Sequence, residues 1–141
     1  MGGDKGPTEE RLVSQLRVMS GSKATGETRT VLVIDDNQSL ADGFARVLST
    51  EYDVRTAYTG EQACELFGAD VDAVLLDRKL PDASGDDLLA EMRDSEHDCG
   101  IAIVSATTRS SELDCDIYLT KPVSEIETIR RTVDRLVEIS A

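Results

Sequence analysis

Residues 31–37 read Val-Leu-Val-Ile-Asp-Asp-Asn, and residues 74–77 read Val-Leu-Leu-Asp. Each stretch is a short apolar run that ends abruptly in aspartate. A strand that is apolar at every position must be buried on both faces, which is typical of the central strands of a parallel sheet covered by helices. The two stretches therefore predict an α/β fold with carboxylates at the ends of its central strands.

Five apolar runs along the chain are predicted as strands, at residues 31–34, 54–57, 73–76, 101–104 and 117–119. The segments between them carry apolar residues at three-to-four spacing, which predicts amphipathic crossover helices. The run at 54–57 alternates apolar and polar residues, so we expect it at an edge. The pattern as a whole predicts a doubly wound, five-stranded parallel sheet.

Helix boundaries are also visible in the sequence. Thr59 with Gln62, and Ser124 with Glu127, match the capping-box pattern and predict two helix starts. The interval from Ala106 to Asp116 contains only one large apolar residue, so we expect a shortened fourth helix there.

The chain divides into two parts by composition. Residues 1–29 are rich in glycine and polar residues and are predicted to form a flexible N-terminal extension. Residues 30–141 are predicted to form one domain with a single core. Met19 is an alternative translation start, which an intact-mass measurement on the native protein would test.

The charge balance excludes some partners. The chain carries 15 basic and 28 acidic residues, a formal net charge of −13, so a surface that binds nucleic acid directly is not expected. Such acidity is typical of a salt-adapted, halophilic intracellular protein, with an ordinary acidic bacterial domain as the alternative. The three cysteines form no C-x-x-C pair, and no apolar run approaches the roughly 20 residues that cross a bilayer. We therefore expect a cytoplasmic protein without membrane insertion.

The predicted strands end in polar residues of complementary chemistry: Asp35 and Asp36, Asp77, Ser105, and Lys121. Ligands of open α/β sheets bind beyond the carboxyl ends of the strands. Three carboxylates meeting there repel one another unless a hard cation such as Mg²⁺ lies among them. A lysine and a hydroxyl are suited to the oxygens of a phosphoryl group, and a carboxylate can serve as its nucleophile.

The segment from Val31 to Val137 resembles the receiver domain of two-component response regulators. The resemblance rests on residues 31–37, on the stretch Val-Leu-Leu-Asp-Arg-Lys-Leu-Pro-Asp-Ala-Ser-Gly at 74–85, and on residues 103–106 and 118–122. Residues 52–58, 75–78 and 118–123 are similar to receivers of halophilic archaea. The resemblance implies a flavodoxin-like strand order, 2-1-3-4-5, and a phosphorylation-controlled signalling switch.

For the metal site, the resemblance implies Mg²⁺ as the cofactor. Asp36 and Asp77 would bind the ion directly, together with the backbone carbonyl of Lys79, and Asp35 would act through water. Asp77 would accept the phosphoryl group from a phosphohistidine on a sensor histidine kinase. The chain would then be a phosphoacceptor that assists its own phosphorylation and dephosphorylation, not a turnover enzyme.

For the phosphoryl group and the switch, the resemblance implies contacts from Ser105 and Lys121. Ser105 and Tyr118 would be the residues that move on phosphorylation. The side chains of Lys79 and Thr107 would modulate dephosphorylation. The peptide bond before Pro122 is a candidate cis bond.

The spacing between Ser105 and Lys121 departs from the family pattern. It is 16 positions, fewer than in most receivers. The shortened fourth helix therefore alters the surface through which receivers usually dimerise. The chain is either a stand-alone receiver or part of a longer regulator, with a downstream regulator or an output domain as a further partner.

Two other functions are open. A Mg²⁺-dependent phosphatase with an aspartate nucleophile would place two acids in an Asp-x-Asp pattern, which the adjacent Asp35 and Asp36 do not match. A receiver-like interaction module that works without phosphorylation would be expected to lack a member of the site, yet all five residues are present.

Overall fold

The computed structural model describes residues 28–107, 113–123 and 125–140. Within these ranges the elements are β1 (Thr30–Ile34), α1 (Gln38–Leu48), β2 (Asp53–Ala57), α2 (Gly60–Leu66), β3 (Ala73–Leu76), α3 (Gly85–Asp94), β4 (Gly100–Ser105), β5 (Ile117–Thr120) and α4 (Ile126–Ser140). The five strands form one sheet of order β2-β1-β3-β4-β5, and every neighbouring pair is parallel. The predicted fold and strand order are confirmed.

The helices cover both faces of the sheet. On one face α1 and α4 pack against β1, β3 and β4, through Val31, Val33, Ala41, Leu48, Leu75, Ile129, Val133 and Leu136 among others. On the other face α2 and α3 pack against the alternate residues of the same strands, through Leu32, Ile34, Ala63, Val74, Leu88, Leu89, Met92 and Ile101 among others. This two-sided core is what the fully apolar strand sequences require.

Burial separates the central strands from the edges. Every residue of β1, β3 and β4 is buried. Only Ala57 of β2 is buried, and β5 is half-buried or exposed throughout. The alternating run at 54–57 therefore lies at an edge, as predicted.

Side-chain caps fix the starts of the first two helices. Asn37 Oδ1 accepts a hydrogen bond from Leu40 N at 3.1 Å and caps α1. At α2, Thr59 Oγ1 accepts from Gln62 N at 3.1 Å, and Gln62 Oε1 accepts from Tyr58 N at 2.8 Å. The hydroxyl half of the capping box predicted at Thr59 is thus present, whereas the Gln62 side chain binds the backbone N of Tyr58, one residue before the N-cap. The box predicted at Ser124 lies outside the described residues.

The connection between β4 and β5 differs from the other crossovers. Its described residues, 106–107 and 113–116, contain no helix. The predicted short helix falls largely on residues 108–112, which lie outside the described part of the chain, as do residues 1–27 of the predicted extension. Helix α4 is therefore the counterpart of the expected fifth helix.

An arginine from α3 holds this connection to the sheet. Arg93 donates to the backbone oxygens of Cys99, at 3.1 Å, and Asp114, at 2.8 Å. It also pairs with Asp116 Oδ2 at 2.8 Å. The same Asp116 oxygen accepts from Ile101 N at 2.8 Å, so the side chain also fixes β5 beside β4.

One predicted core position is exposed. Ile126 fits the apolar stripe of the last helix, but its side chain is 60% exposed because it lies in the first turn, beyond the edge of the sheet core. In the described part of the chain, no helix combines the length and apolar character that a membrane span requires.

Candidate functional site

The parallel register brings the polar strand ends together. Ile34 at the end of β1 lies beside Leu76 at the end of β3, so Asp35 and Asp77 emerge next to each other. Ser105 at the end of β4 lies beside Thr120 of β5, one residue before Lys121. The residues predicted from four separate strand ends therefore lie at one edge of the sheet.

Three carboxylates form an acidic cluster at this edge. Ligand oxygens of Asp35, Asp36 and Asp77 all lie within 4.8 Å of one another. Asp35 and Asp77 are buried, whereas Asp36 is exposed to solvent. A set of carboxylate oxygens open to water on one side fits Mg²⁺, which prefers oxygen ligands and keeps several water molecules.

Lys121 supplies the positive charge of the site. Its Nζ atom donates to Asp35 Oδ2 at 2.8 Å and to Asp77 Oδ2 at 3.4 Å. Its backbone N donates to the backbone oxygen of Ser105 at 2.8 Å, and this bond holds the segment after β5 against the end of β4. The Lys121–Pro122 peptide bond is cis, as predicted.

The charges of the site shift the pKa values of its own groups. Burial raises the pKa of the Asp77 carboxyl, and the neighbouring charge of Asp35 raises it further, against the opposing effect of Lys121. Burial alone would lower the pKa of the Lys121 amine, but its hydrogen bond to Asp35 and the two carboxylate charges outweigh burial and raise it. A further cation would favour the ionised form of Asp77, which is the nucleophilic form.

The loop between β3 and α3 closes tightly beside Asp77. A Cβ atom added at Gly85 would lie only 2.1 Å from the backbone oxygen of Asp77, so no other residue fits there without moving the loop. Lys79 N lies 3.4 Å from Asp77 Oδ1 and donates to it, while the Lys79 side chain is exposed. The role of the Lys79 carbonyl as a metal ligand stays a prediction.

The predicted switch and modulator residues are in contact with one another. Ser105 Oγ lies 3.1 Å from Thr107 Oγ1. The Tyr118 hydroxyl donates to the backbone oxygen of Thr107 at 2.6 Å, and the half-buried ring packs against the core. A hydroxyl at the end of β4 is therefore connected to the aromatic ring on β5 through Thr107.

Sequence reasoning gave no role to Arg78, the residue directly after Asp77. Its guanidinium binds both carboxylate oxygens of Asp86, at 2.9 and 2.8 Å, and also reaches Thr107 and Tyr118. The available signal was an arginine beside the predicted phosphoacceptor with an acid in the first turn of the following helix. That signal does not indicate the direction of the side chain.

Comparison with protein families gives a match over most of the domain. Residues 31–134 match the response regulator receiver domain. A protein of Haloferax volcanii, provisionally assigned as a transcriptional regulator, is 39% identical over 129 residues, which is 89% of this chain and 22% of that protein. The chain spans about half the length of several other curated relatives.

Solved structures give the same result. The response regulator TrrA of Thermotoga maritima, in complex with Mg²⁺ and beryllofluoride, is 27% identical, with a TM-score of 0.69 over 77% of this chain and 99% of that one. A Burkholderia pseudomallei response regulator with a phosphorylated aspartic acid, a calcium ion and citrate is 30% identical, with a TM-score of 0.66 over 74% of this chain and 66% of that one. From fold, strand-end chemistry and these similarities together, the chain belongs to the response regulator receiver domain family.

Proposed function

We propose that this chain is a signalling switch that accepts a phosphoryl group on Asp77 from a sensor histidine kinase. The observation that carries the proposal is the acidic cluster with Lys121 donating to both Asp35 and Asp77. The phosphorylated aspartate and the Mg²⁺ complex named for two related structures support it.

Asp77, Lys121 and Ser105 have different roles in phosphoryl transfer. One oxygen of the Asp77 carboxylate attacks phosphorus, a P–O bond forms, and the P–N bond to the donor histidine breaks. The electron pair of that bond returns to the imidazole nitrogen, which takes up a proton. Lys121 and the hydroxyl of Ser105 bind the phosphoryl oxygens and hold them in line for attack.

Mg²⁺, when bound, would neutralise negative charge on the carboxylates and on the transferring group. Asp36 and Asp77 would hold it directly with the carbonyl of Lys79, and Asp35 would act through water. The side chains of Lys79 and Thr107 would influence how fast water reaches the acyl phosphate.

The output would be a change in protein–protein interaction. A phosphoryl group adds negative charge next to Ser105, and the contacts from Ser105 through Thr107 to Tyr118 extend that perturbation to β5. The partner that reads this change would be a downstream regulator or an output domain. The acidic surface and the similarity to a Haloferax volcanii protein support activity at high salt.

The experiment is phosphorylation of the purified chain by radiolabelled acetyl phosphate with Mg²⁺. Wild type should take up one label, which hydroxylamine removes, and Asp77→Asn should take up none. Asp87→Asn, which changes an exposed aspartate of α3, is the matched control and should label normally. Equal labelling of Asp77→Asn, or no labelling of wild type, would reject the proposal.

A further inference from the structure

The guanidinium of Arg78 connects α3 with the end of β4. Its Nε and Nη2 atoms donate to Asp86 Oδ1 and Oδ2 at 2.9 and 2.8 Å. This bidentate pair fixes the plane of the guanidinium, because two parallel hydrogen bonds leave little rotational freedom. Its Nη1 atom then lies 3.3 Å from Thr107 Oγ1 and 3.4 Å from the Tyr118 hydroxyl.

These contacts favour one direction for the neighbouring hydrogen bonds. A guanidinium carries donors only, so both Thr107 Oγ1 and the Tyr118 oxygen must accept from it. The hydrogen of Tyr118 is already committed to the backbone oxygen of Thr107, at 2.6 Å. The Thr107 hydroxyl lies 3.1 Å from Ser105 Oγ and 3.4 Å from the Tyr118 oxygen, which already accepts from Arg78, so the shorter contact directs its hydrogen to Ser105.

Ser105 Oγ then has two donors directed at it. One is the hydroxyl of Thr107, and the other is the backbone N of Thr107 at 3.3 Å. With both contacts occupying its acceptor positions, Ser105 keeps its own hydrogen for a third group. The oxygens of a transferred phosphoryl group are acceptors only, so a serine prepared in this way presents the polarity that they need.

We propose that Arg78 is a positioning residue that, through Thr107, sets the hydroxyl of Ser105 as a donor to the phosphoryl group on Asp77. This inference rests on the proposed function of Asp77. Arg78 acts without contacting the phosphoryl group itself, and Asp86 holds it in place. The proposal adds α3 to the elements that prepare the site.

The test measures how fast acetyl phosphate with Mg²⁺ phosphorylates wild type and a set of variants. Arg78→Met removes the donors, and Thr107→Val removes the hydroxyl through which they act. Each should lower the maximal rate about tenfold, the scale of one charge-assisted hydrogen bond. Thr107→Ser keeps the hydroxyl and should stay within about twofold of wild type.

The double variant Arg78→Met with Thr107→Val separates this mechanism from a general structural role. If Arg78 acts through Thr107, the double variant loses no more rate than the more affected single variant. The Mg²⁺ dissociation constant, measured by calorimetry, should change less than about twofold in all variants, because the carboxylates are untouched. Multiplied losses in the double variant, or a normal rate in Arg78→Met, would overturn the proposal.

Arg55→Met is the control, since Arg55 also binds an aspartate, Asp70, and a backbone oxygen, that of Leu66, but at the β2 edge. This variant should be phosphorylated at the wild-type rate.

If wild type takes up the label and Asp77→Asn does not, while Arg78→Met takes it up as fast as wild type, only the role of Arg78 fails. If wild type takes no label, the function proposed for Asp77 fails first. Should Arg78→Met be unfolded by circular dichroism, Asp86→Asn, which loosens the same guanidinium, replaces it with the same expected loss.

Discussion

Two groups of charged side chains lie at opposite ends of the sheet, and they differ in how far their charges are balanced by partners within the protein. At the carboxyl ends, the acidic cluster combines three carboxylates with one lysine, Lys121, which pairs with Asp35 and Asp77. At the amino ends of β4 and β5, Arg93 binds Asp116 and two backbone oxygens, an arrangement that we call the amino-end clamp. The clamp pairs its partly exposed charges within the protein, whereas the acidic cluster leaves negative charge in excess.

This difference indicates which aspartates serve structure and which serve a ligand. Asp116 accepts from Arg93 and from Ile101 N, so its charge is used in holding β5. Asp77 is buried beside Asp35, with a pKa raised by burial and by that neighbour. A buried carboxylate whose charge is not fully compensated by partners in the protein is a candidate for binding a ligand, because its desolvation destabilises the fold.

The largest expected effect comes from breaking the clamp. Arg93→Met should lower the free energy of unfolding by about 3 kcal/mol, because it removes three hydrogen bonds of about 1 kcal/mol each, to Asp116 and to the backbone oxygens of Cys99 and Asp114. Urea unfolding at neutral pH followed by circular dichroism measures the change. Arg55→Met, which breaks a more exposed pair with Asp70, should cost at most about 1 kcal/mol.

Equal losses in Arg93→Met and Arg55→Met would contradict the structural role of the clamp. Arg93→Met also tests whether the chemistry at the carboxyl ends of the strands is independent of the clamp at their amino ends. Arg93→Met that remains folded should still take up the phosphoryl label, because the clamp lies away from Asp77.

The sequence predicts the acidic cluster well and the clamp not at all. Asp35 and Asp77 come directly after apolar runs and Lys121 comes two residues after one, so the topology of a parallel sheet is sufficient to bring them to one edge. Arg93 and Asp116 are 23 positions apart, and nothing in their surroundings marks them as partners. Their contact depends on how a connection without a described helix lies against α3.

Arg78 shows the same limit inside the site. Its position beside Asp77 is evident in the sequence, but its direction depends on the loop that Gly85 permits and on the isolated bridge between Lys79 and Ser84. Strand ends can be placed from periodicity, whereas a side chain on a tight loop takes its direction from that loop. The five residues of the site were therefore predictable, and the contacts that orient them were not.

A second, smaller effect should distinguish the acidic cluster by its response to metal. Mg²⁺ at a hundred times its dissociation constant should stabilise wild type by about 2.7 kcal/mol, the linkage expected for a ligand of the folded state. Arg93→Met should gain the same increment in the free energy of unfolding, although it is less stable than wild type without Mg²⁺. Asp36→Asn, which removes an exposed member of the cluster, should gain much less.

The measurement is urea unfolding with and without Mg²⁺, using Ca²⁺-free buffer and EDTA in the reference. Asp87→Asn, an exposed aspartate outside the cluster, serves as the control and should keep the full increment. An increment that survives in Asp36→Asn and in Asp77→Asn would place the metal elsewhere.

The smallest effect has opposite signs at the two ends of the sheet. Without metal at neutral pH, Asp77→Asn should stabilise the fold by about 1 kcal/mol, since it removes a like charge beside Asp35. Asp116→Asn should destabilise it, because Arg93 loses its charged partner. Urea unfolding in EDTA compares both variants with wild type.

The pH dependence of the Asp77→Asn gain follows from the direction of the pKa shift. The folded-state pKa of Asp77 lies above its ordinary value of 3.8, so the ionised form disfavours folding and the protonated form does not. The penalty is fully present above the folded-state pKa and disappears as the pH falls from there towards 3.8. The advantage of Asp77→Asn over wild type should therefore shrink across that interval, whereas an advantage independent of pH would mean that the charge of Asp77 is not its origin.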